Sequence, residues 1–183
     1  MSKINFIADV FAEQHLGGGE LSNQELMNLL RKEGKEVEQV FSTQVTEDFL
    51  LENKEHKFII GNFLGINEQA KKVLIKNCDY VIYEHDHKYL TSRDPSVYDN
   101  YEAPEDQVIN KEFYAAAKTV FCQSELHRSV VQKNLKLDNI VSVGGNLWDD
   151  TTLELLRKMS KKDKADRYSI WDSSNPIKNT PLT

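Results

Sequence analysis

The sequence is short of cysteine, of long apolar runs and of basic charge, and each shortage removes a class of protein. Among 183 residues there are two cysteines, Cys78 and Cys122. They lie far apart and match no metal-ligand spacing. Cys122 sits inside an apolar, strand-like run, where a buried free thiol is expected. Such usage fits a reducing compartment and a cytoplasmic protein. No run approaches the length of a transmembrane helix. The apolar run after Lys3 is broken at Asp9 and again at Glu13, so no secretory leader is expected there. The net charge is -6. The one basic cluster, Lys161-Lys162-Asp163-Lys164, reads as a linker, and neither a nucleic-acid nor an anionic-membrane footprint is expected.

What is present reads as an ordinary globular chain, with 39% apolar and 28% charged residues. The length suits one sizeable domain, or one domain and part of another. Runs at 4–8, 57–60 and 119–122 read as buried strands, and 36–41, 79–83 and 139–143 as further strands. Helical stretches alternate with them. Leu26, Leu29 and Leu30 share a face that Gly34 ends. Thr46 caps a short helix. Ile66, Ala70, Val73 and Leu74 follow i, i+4, i+7, i+8. Ile109, Phe113 and Ala117 mark another helix, and Ser124 caps one that carries Leu126, Val130 and Leu135. Asp150 or Thr151 opens a last one with Leu153, Leu156 and Met159.

This alternation predicts an α/β, doubly wound Rossmann-like domain: a parallel sheet of about six strands with helices on both faces. In such a domain ligands bind beyond the carboxyl ends of the strands. Those ends carry Gly17 to Glu20, Gly61 to Gly65, Glu84 to His87, Gln123-Ser124 and Gly144 to Asn146. Polar and glycine-rich residues therefore converge on one edge.

Gly17-Gly18-Gly19-Glu20 follows the first strand and precedes the leucine-rich helix. Glycine lets a backbone approach a ligand, and the first N–H groups of a helix point outward unpaired. Phosphate or sugar hydroxyls suit that corner; a tight strand-to-helix turn without a ligand suits it equally. The run does not match G-x-G-x-x-G, which argues against a dinucleotide enzyme. Glu20 either orients a ligand or complements the helix dipole. Glu84-His85-Asp86-His87 is the densest ionisable run. A continuing strand would put His85 and His87 on opposite faces, so no metal is expected there. The remaining readings are a catalytic or sugar-binding cluster and a solvated turn capped by Asp86. The polar segment from Lys88 to Gln107, with Pro95, Pro104 and Arg93, has no clear period.

After the lysine-rich linker, Tyr168-Ser169-Ile170-Trp171 reads as one more strand, and a polar loop follows it without a helix. A lone strand cannot bury both its faces. The expected organisation is a Rossmann-like domain over 1–160, then a linker and the first strand of a second, truncated domain over 161–183.

The order of strand, Gly-Gly-Gly-Glu, leucine-rich helix and Glu33-Gly34-Lys35-Glu36-Val37 resembles the start of glycogen-synthase-like, family 4-like glycosyltransferases of the two-domain GT-B type. His85-Asp86 after the fourth strand, and Ala115 through Phe121-Cys122-Gln123-Ser124-Glu125, resemble further segments of that family; Lys35 departs from its usual histidine. The resemblance implies an N-terminal, acceptor-side domain, with a nucleotide-sugar donor and an unknown acceptor as partners and no separate cofactor. It implies that Gly18 and Gly19 reach the donor diphosphate, with Glu20 and Glu84 beside them. His85 and Asp86 would then be the catalytic candidates near the transferred sugar. Lys178 stands where a phosphate-binding lysine is expected, without the family's arginine. Such a chain would be inactive without the rest of its donor domain. A non-catalytic Rossmann-like module for a nucleotide or protein partner remains the alternative.

Overall fold

The computed structural model describes residues 3–166. The chain divides into two compact units, Met1–Trp148 and Asp149–Thr183. In the first, the strands are β1 (Ile4–Ala8), β2 (Val37–Phe41), β3 (Lys57–Ile60), β4 (Asp79–Glu84), β5 (Val120–Cys122) and β6 (Ile140–Ser142). They form one six-stranded sheet in the order β2-β1-β3-β4-β5-β6, and every pairing is parallel. The helices are α1 (Gly18–Lys32), α2 (Glu47–Glu52), α3 (Glu68–Asn77), α4 (Lys111–Ala116) and α5 (Glu125–Leu135). This is the Rossmann-like α/β fold expected from the alternation of elements.

The side-chain period of a strand sorts the core into two faces. Ile4, Phe6 and Ala8 of β1 pack with Met27 of α1 on one side. Ile7 points to the other, where Leu50 of α2, Leu74 of α3, Phe113 of α4 and Val131 of α5 join a larger cluster. Right-handed crossovers explain the division. The step from β1 to β2 runs one way along the sheet and every later step runs the other. Among the helices of the first unit, α1 therefore lies on the opposite face from α2, α3, α4 and α5. Beside it, between Leu26, Leu29 and Leu30 and the sheet residues Ile59, Val81 and Phe121, runs an apolar groove of about 400 Å³.

Local chemistry sets the helix ends. Thr46 Oγ1 accepts from the Phe49 N–H (3.1 Å) and Ser124 Oγ from the His127 N–H (3.1 Å). At the end of α1 the Lys35 N–H reaches the Leu30 carbonyl and the Gly34 N–H the Arg31 carbonyl. That is a Schellman motif, and Gly34 holds it at φ +74°. One boundary departs from expectation. Helix α1 starts at Gly18 rather than after the glycines, so Gly18 and Gly19 form its first turn.

The polar segment after β4 is built of short 3₁₀ turns, Pro95–Val97, Asp99–Tyr101 and Glu105–Gln107. It is anchored by Tyr89 and Leu90, both fully buried, and by a bridge between Leu90 and Val108. Cys122 is a buried free thiol, as expected, and burial pushes it up to about 12. In the second unit, helix α6 (Asp150–Ser160) is capped by Asp149, whose carboxylate accepts from the Thr152 N–H at 2.9 Å. The expected strand at Tyr168 to Trp171 and Lys178 lie outside the described residues. No helix among the described residues is long and apolar enough to cross a membrane.

Candidate functional site at the carboxyl edge of the sheet

The chain leaves β1 toward β2 on one side and leaves β3 toward β4 on the other. The crevice of this fold therefore opens between the carboxyl ends of β1 and β3. Asp9, the first residue past β1, closes the base of that crevice. Its carboxylate accepts from the Leu64 N–H (3.2 Å), the Gly65 N–H (3.1 Å) and the Ser42 hydroxyl. Three strand ends are tied together through it.

The glycine turn comes next in the chain, where β1 leads into α1. Its helix cap is Gly17, which has no side chain to satisfy the helix start. The Leu21 N–H returns to the Gly17 carbonyl at 3.0 Å. The N–H groups of Gly18, Gly19 and Glu20 have no intrahelical acceptor. A Cβ at Gly18 would meet nothing within 4 Å, so the first helical residue faces open space. Glu20 is the acid of this first turn, and its carboxylate folds back against Gly17. It complements the helix dipole from that position.

Gly19 packs on the His85 ring: its Cβ, if present, would lie 3.5 Å from His85 Cγ. His85 is the first residue past β4 and is held on both nitrogens. Nε2 lies 2.7 Å from Asn23 Oδ1 of α1, and Nδ1 is met by the Gln123 side-chain amide just past β5. Burial, with the nearby Lys88 charge, pushes His85 down to about 4. The ring is neutral near pH 7. It has no free nitrogen in this arrangement, so the catalytic role expected for it would require one of these partners to leave.

Glu84 departs furthest from its expected place. It is fully buried, so it meets no ligand at the cleft surface. Its carboxylate accepts from the Tyr114 hydroxyl and from the Asp86 N–H (2.9 Å), and it pairs with Lys88 at 3.5 Å. Burial alone would raise its pKa. The Lys88 charge, the Tyr114 hydroxyl and the imidazoles of His127 and His87 outweigh burial and hold it at about 2. Glu84 is an anchor beneath the edge, and strand alternation could not show this, because β4 ends with consecutive buried residues. Asp86 pairs with Lys88 and Arg93, so the Arg93 cation is met by a neighbour. His87 adopts φ +56°, shares a 2.9 Å hydrogen bond with the Tyr89 hydroxyl, and lies 4.7 Å between ring centres from His127 of α5, the two rings tilted at 60°. His127 Nε2 is buried with no hydrogen-bond partner among the described residues. Burial, with His87 beside it, pushes His127 down to about 4.

The structure thus brings Gly18, Gly19, Glu20 and His85 to one corner, turns Glu84 inward, and engages Asp86 in ion pairs. The expectation missed Asn23, Asp9 and His127. Asn23 stands three residues before Leu26 and seven before Leu30. A polar residue on that apolar stripe is the signal that could have found it.

The chain matches no family model and no curated protein. Similar solved structures include an alpha-glucosyltransferase in complex with UDP and a 13-mer DNA containing a HMU base. It is 14% identical over 78% of this chain and 42% of that one, with a TM-score of 0.47. Another is an alpha-glucosyltransferase in complex with UDP and a 13-mer DNA containing a central A:G mismatch. It is 15% identical over 78% of this chain and 40% of that one, with a TM-score of 0.46. The chain spans about two fifths of the length of each. The likeness is one of fold, a Rossmann-like sheet in proteins that are glucosyltransferases. Both hold DNA beside UDP, which runs against the expectation of no nucleic acid drawn from the charge balance. Net charge is a sum over a whole surface and does not decide what one face of a fold can meet.

Proposed function

We propose that this chain is the acceptor-side half of a GT-B type, glycogen-synthase-like glycosyltransferase. Such an enzyme moves a sugar from a nucleotide-sugar to an acceptor. The observation that carries the reading is the open start of α1. Gly18 faces empty space at the sheet's crevice, the cap has no side chain, and the first-turn N–H groups lack intrahelical acceptors. A helix start in this state is suited to the oxygens of a diphosphate. The sequence resemblance assigns the same two glycines to the same task.

A departing nucleoside diphosphate gains charge in the transition state and needs cations to meet it. Lys88 is buried against Glu84 and Asp86, and Arg93 is paired with Asp86. The glycine turn offers dipoles rather than a full charge, so donor affinity is weak and turnover needs a second wall to the cleft. The two-domain organisation, with residues 161–183 leading into a donor domain, belongs to this proposal.

Calorimetry against a panel of nucleoside diphosphates and nucleotide-sugars, UDP among them, tests it. Binding by a panel member that Gly18→Ala weakens supports the reading. Silence across the panel overturns it and leaves the non-catalytic module.

A further inference from the structure

Three stretches of the sheet edge meet at the His85 ring: Asn23 from α1, His85 just past β4 and Gln123 just past β5. Asn23 is buried and lies against Gly61 past β3. A Cβ there would fall 2.8 Å from the Asn23 amide nitrogen and 3.0 Å from its oxygen. The side chain has little room to swing in so close a packing. An amide oxygen only accepts, so the Nε2 that faces Asn23 Oδ1 carries a proton. An amide nitrogen only donates, so the Nδ1 that faces Gln123 Nε2 offers its lone pair. Both contacts therefore demand the same neutral tautomer. A protonated ring would set an N–H against the Gln123 amide N–H groups. The carbon side of the ring carries Gly19, and the Tyr83 ring meets it edge-on at 4.6 Å.

We propose that Asn23 and Gln123 are positioning residues: they fix His85 as the neutral Nε2–H tautomer, and the ring so clamped sets the place of the glycine turn at the start of α1. The significance for donor binding rests on the function proposed above; the clamp itself does not. The charged and titratable groups facing the ring are Glu84 and Lys88, from β4 and the segment after it, and His127 from α5. Glu20 from α1 has its carboxylate against Gly17. None of these accepts from Nδ1. In the wild type the ring has no counter-charge on that atom, and Gln123→Glu would supply one.

Long-range ¹H–¹⁵N correlation spectra of the full chain report the protonation site of each imidazole, and a pH titration follows it. The expected result is a neutral His85 with its proton on Nε2 from about pH 8 down to about pH 5.5, the range in which a free imidazole titrates. In Gln123→Glu the carboxylate accepts from Nδ1–H, and the His85 pKa rises by more than about one unit. The Gly18 and Gly19 amide resonances follow His85 protonation in Gln123→Glu and show no such step in the wild type over the same range. A proton on Nδ1, a wild-type ring titrating near 6.5, an unmoved pKa in Gln123→Glu, or glycine amides indifferent to the ring in that variant would each overturn the clamp. If the variant does not fold, the wild-type tautomer and its acid titration decide alone. A UDP titration on the same sample separates the two proposals. A correct tautomer without any response to UDP supports the clamp and counts against the donor site. UDP shifts at the glycine turn with the wrong tautomer do the reverse.

Discussion

Glu84 and Lys88 form an ion pair 3.5 Å apart in which neither side chain is more than 1% exposed. Burial on this scale makes the pair expensive to break from one side only, because the surviving charge is left in a medium that cannot solvate it. Lys88→Met removes the cation and leaves the Glu84 carboxylate with its two hydrogen bonds. We predict a loss of roughly 3–5 kcal/mol at pH 7 in urea unfolding. The deficit relative to wild type shrinks as acid protonates Glu84. A cost below about 1 kcal/mol, typical of exposed pairs, would show that water reaches the pair.

Acid should destabilise the domain earlier than its carboxylates would. His85 and His127 are both pushed down to about 4, chiefly by burial, from an ordinary value near 6.5. Between those values the unfolded chain binds a proton at each site and the folded chain does not, so stability falls as pH falls. Each ring contributes about 1.4 kcal/mol per pH unit across that window and nothing further below it. The stabilising offset held by Glu84, whose folded value is about 2 against an ordinary 4.5, is lost at lower pH still, from about 4.5 downward. Urea midpoints between pH 7 and pH 4 should therefore drop steadily. In His127→Gln the slope should be shallower by about 1.4 kcal/mol per unit. An unchanged slope would place the His127 ring in water.

Two glycines separate fold from site. At Gly65 an added Cβ would collide with the Ser42 hydroxyl and lie 2.9 Å from Thr43 Cγ2 and 3.1 Å from its backbone nitrogen. Gly65→Ala should cost about 1–3 kcal/mol, the range for overpacking. At Gly18 the space is open and the backbone is helical, so Gly18→Ala should leave stability unchanged or slightly raised. Only the second substitution puts a methyl group where a diphosphate would approach. Paired melting curves and calorimetry would show the two effects apart. A Gly18→Ala protein that melts early would place the turn in the fold's support.

The Glu20 carboxylate lies against Gly17, beside the helix start that the proposal assigns to an anion. Like charges at that separation repel, and the repulsion is screened by salt. Glu20→Gln should bind UDP several-fold more tightly than wild type at low ionic strength, with the gain shrinking as salt rises. Weaker binding in Glu20→Gln would mean that the carboxylate itself orients the ligand.

Much of the fold was legible because burial and periodicity speak locally. Ile4 to Ala8 and Lys57 to Ile60 read as strands with their observed bounds, and Thr46, Ser124 and Gly34 mark helix ends where they fall. The parallel sheet followed from alternation alone. The site was legible only to the level of an edge. That Gly18 and His85 share a corner follows from each standing after a strand. That Glu84 turns inward does not, since it depends on Tyr114 arriving from 30 residues away to meet its carboxylate. The Asn23–His85–Gln123 clamp spans three elements, and its members lie about 40 to 60 residues apart in sequence. No local pattern encodes such a contact. Net charge could not decide about nucleic acid, because it carries no positions.

If the start of α1 receives the diphosphate of a nucleotide-sugar, UDP must meet the chain there. The most direct measurement is a UDP titration of the ¹⁵N-labelled chain, which detects weak binding and reports its location. The account predicts saturable shifts centred on the amides of Gly18, Gly19 and Glu20, abolished in Gly18→Ala without loss of fold. Saturable shifts that leave those three amides unmoved, or no shifts at all, would contradict it.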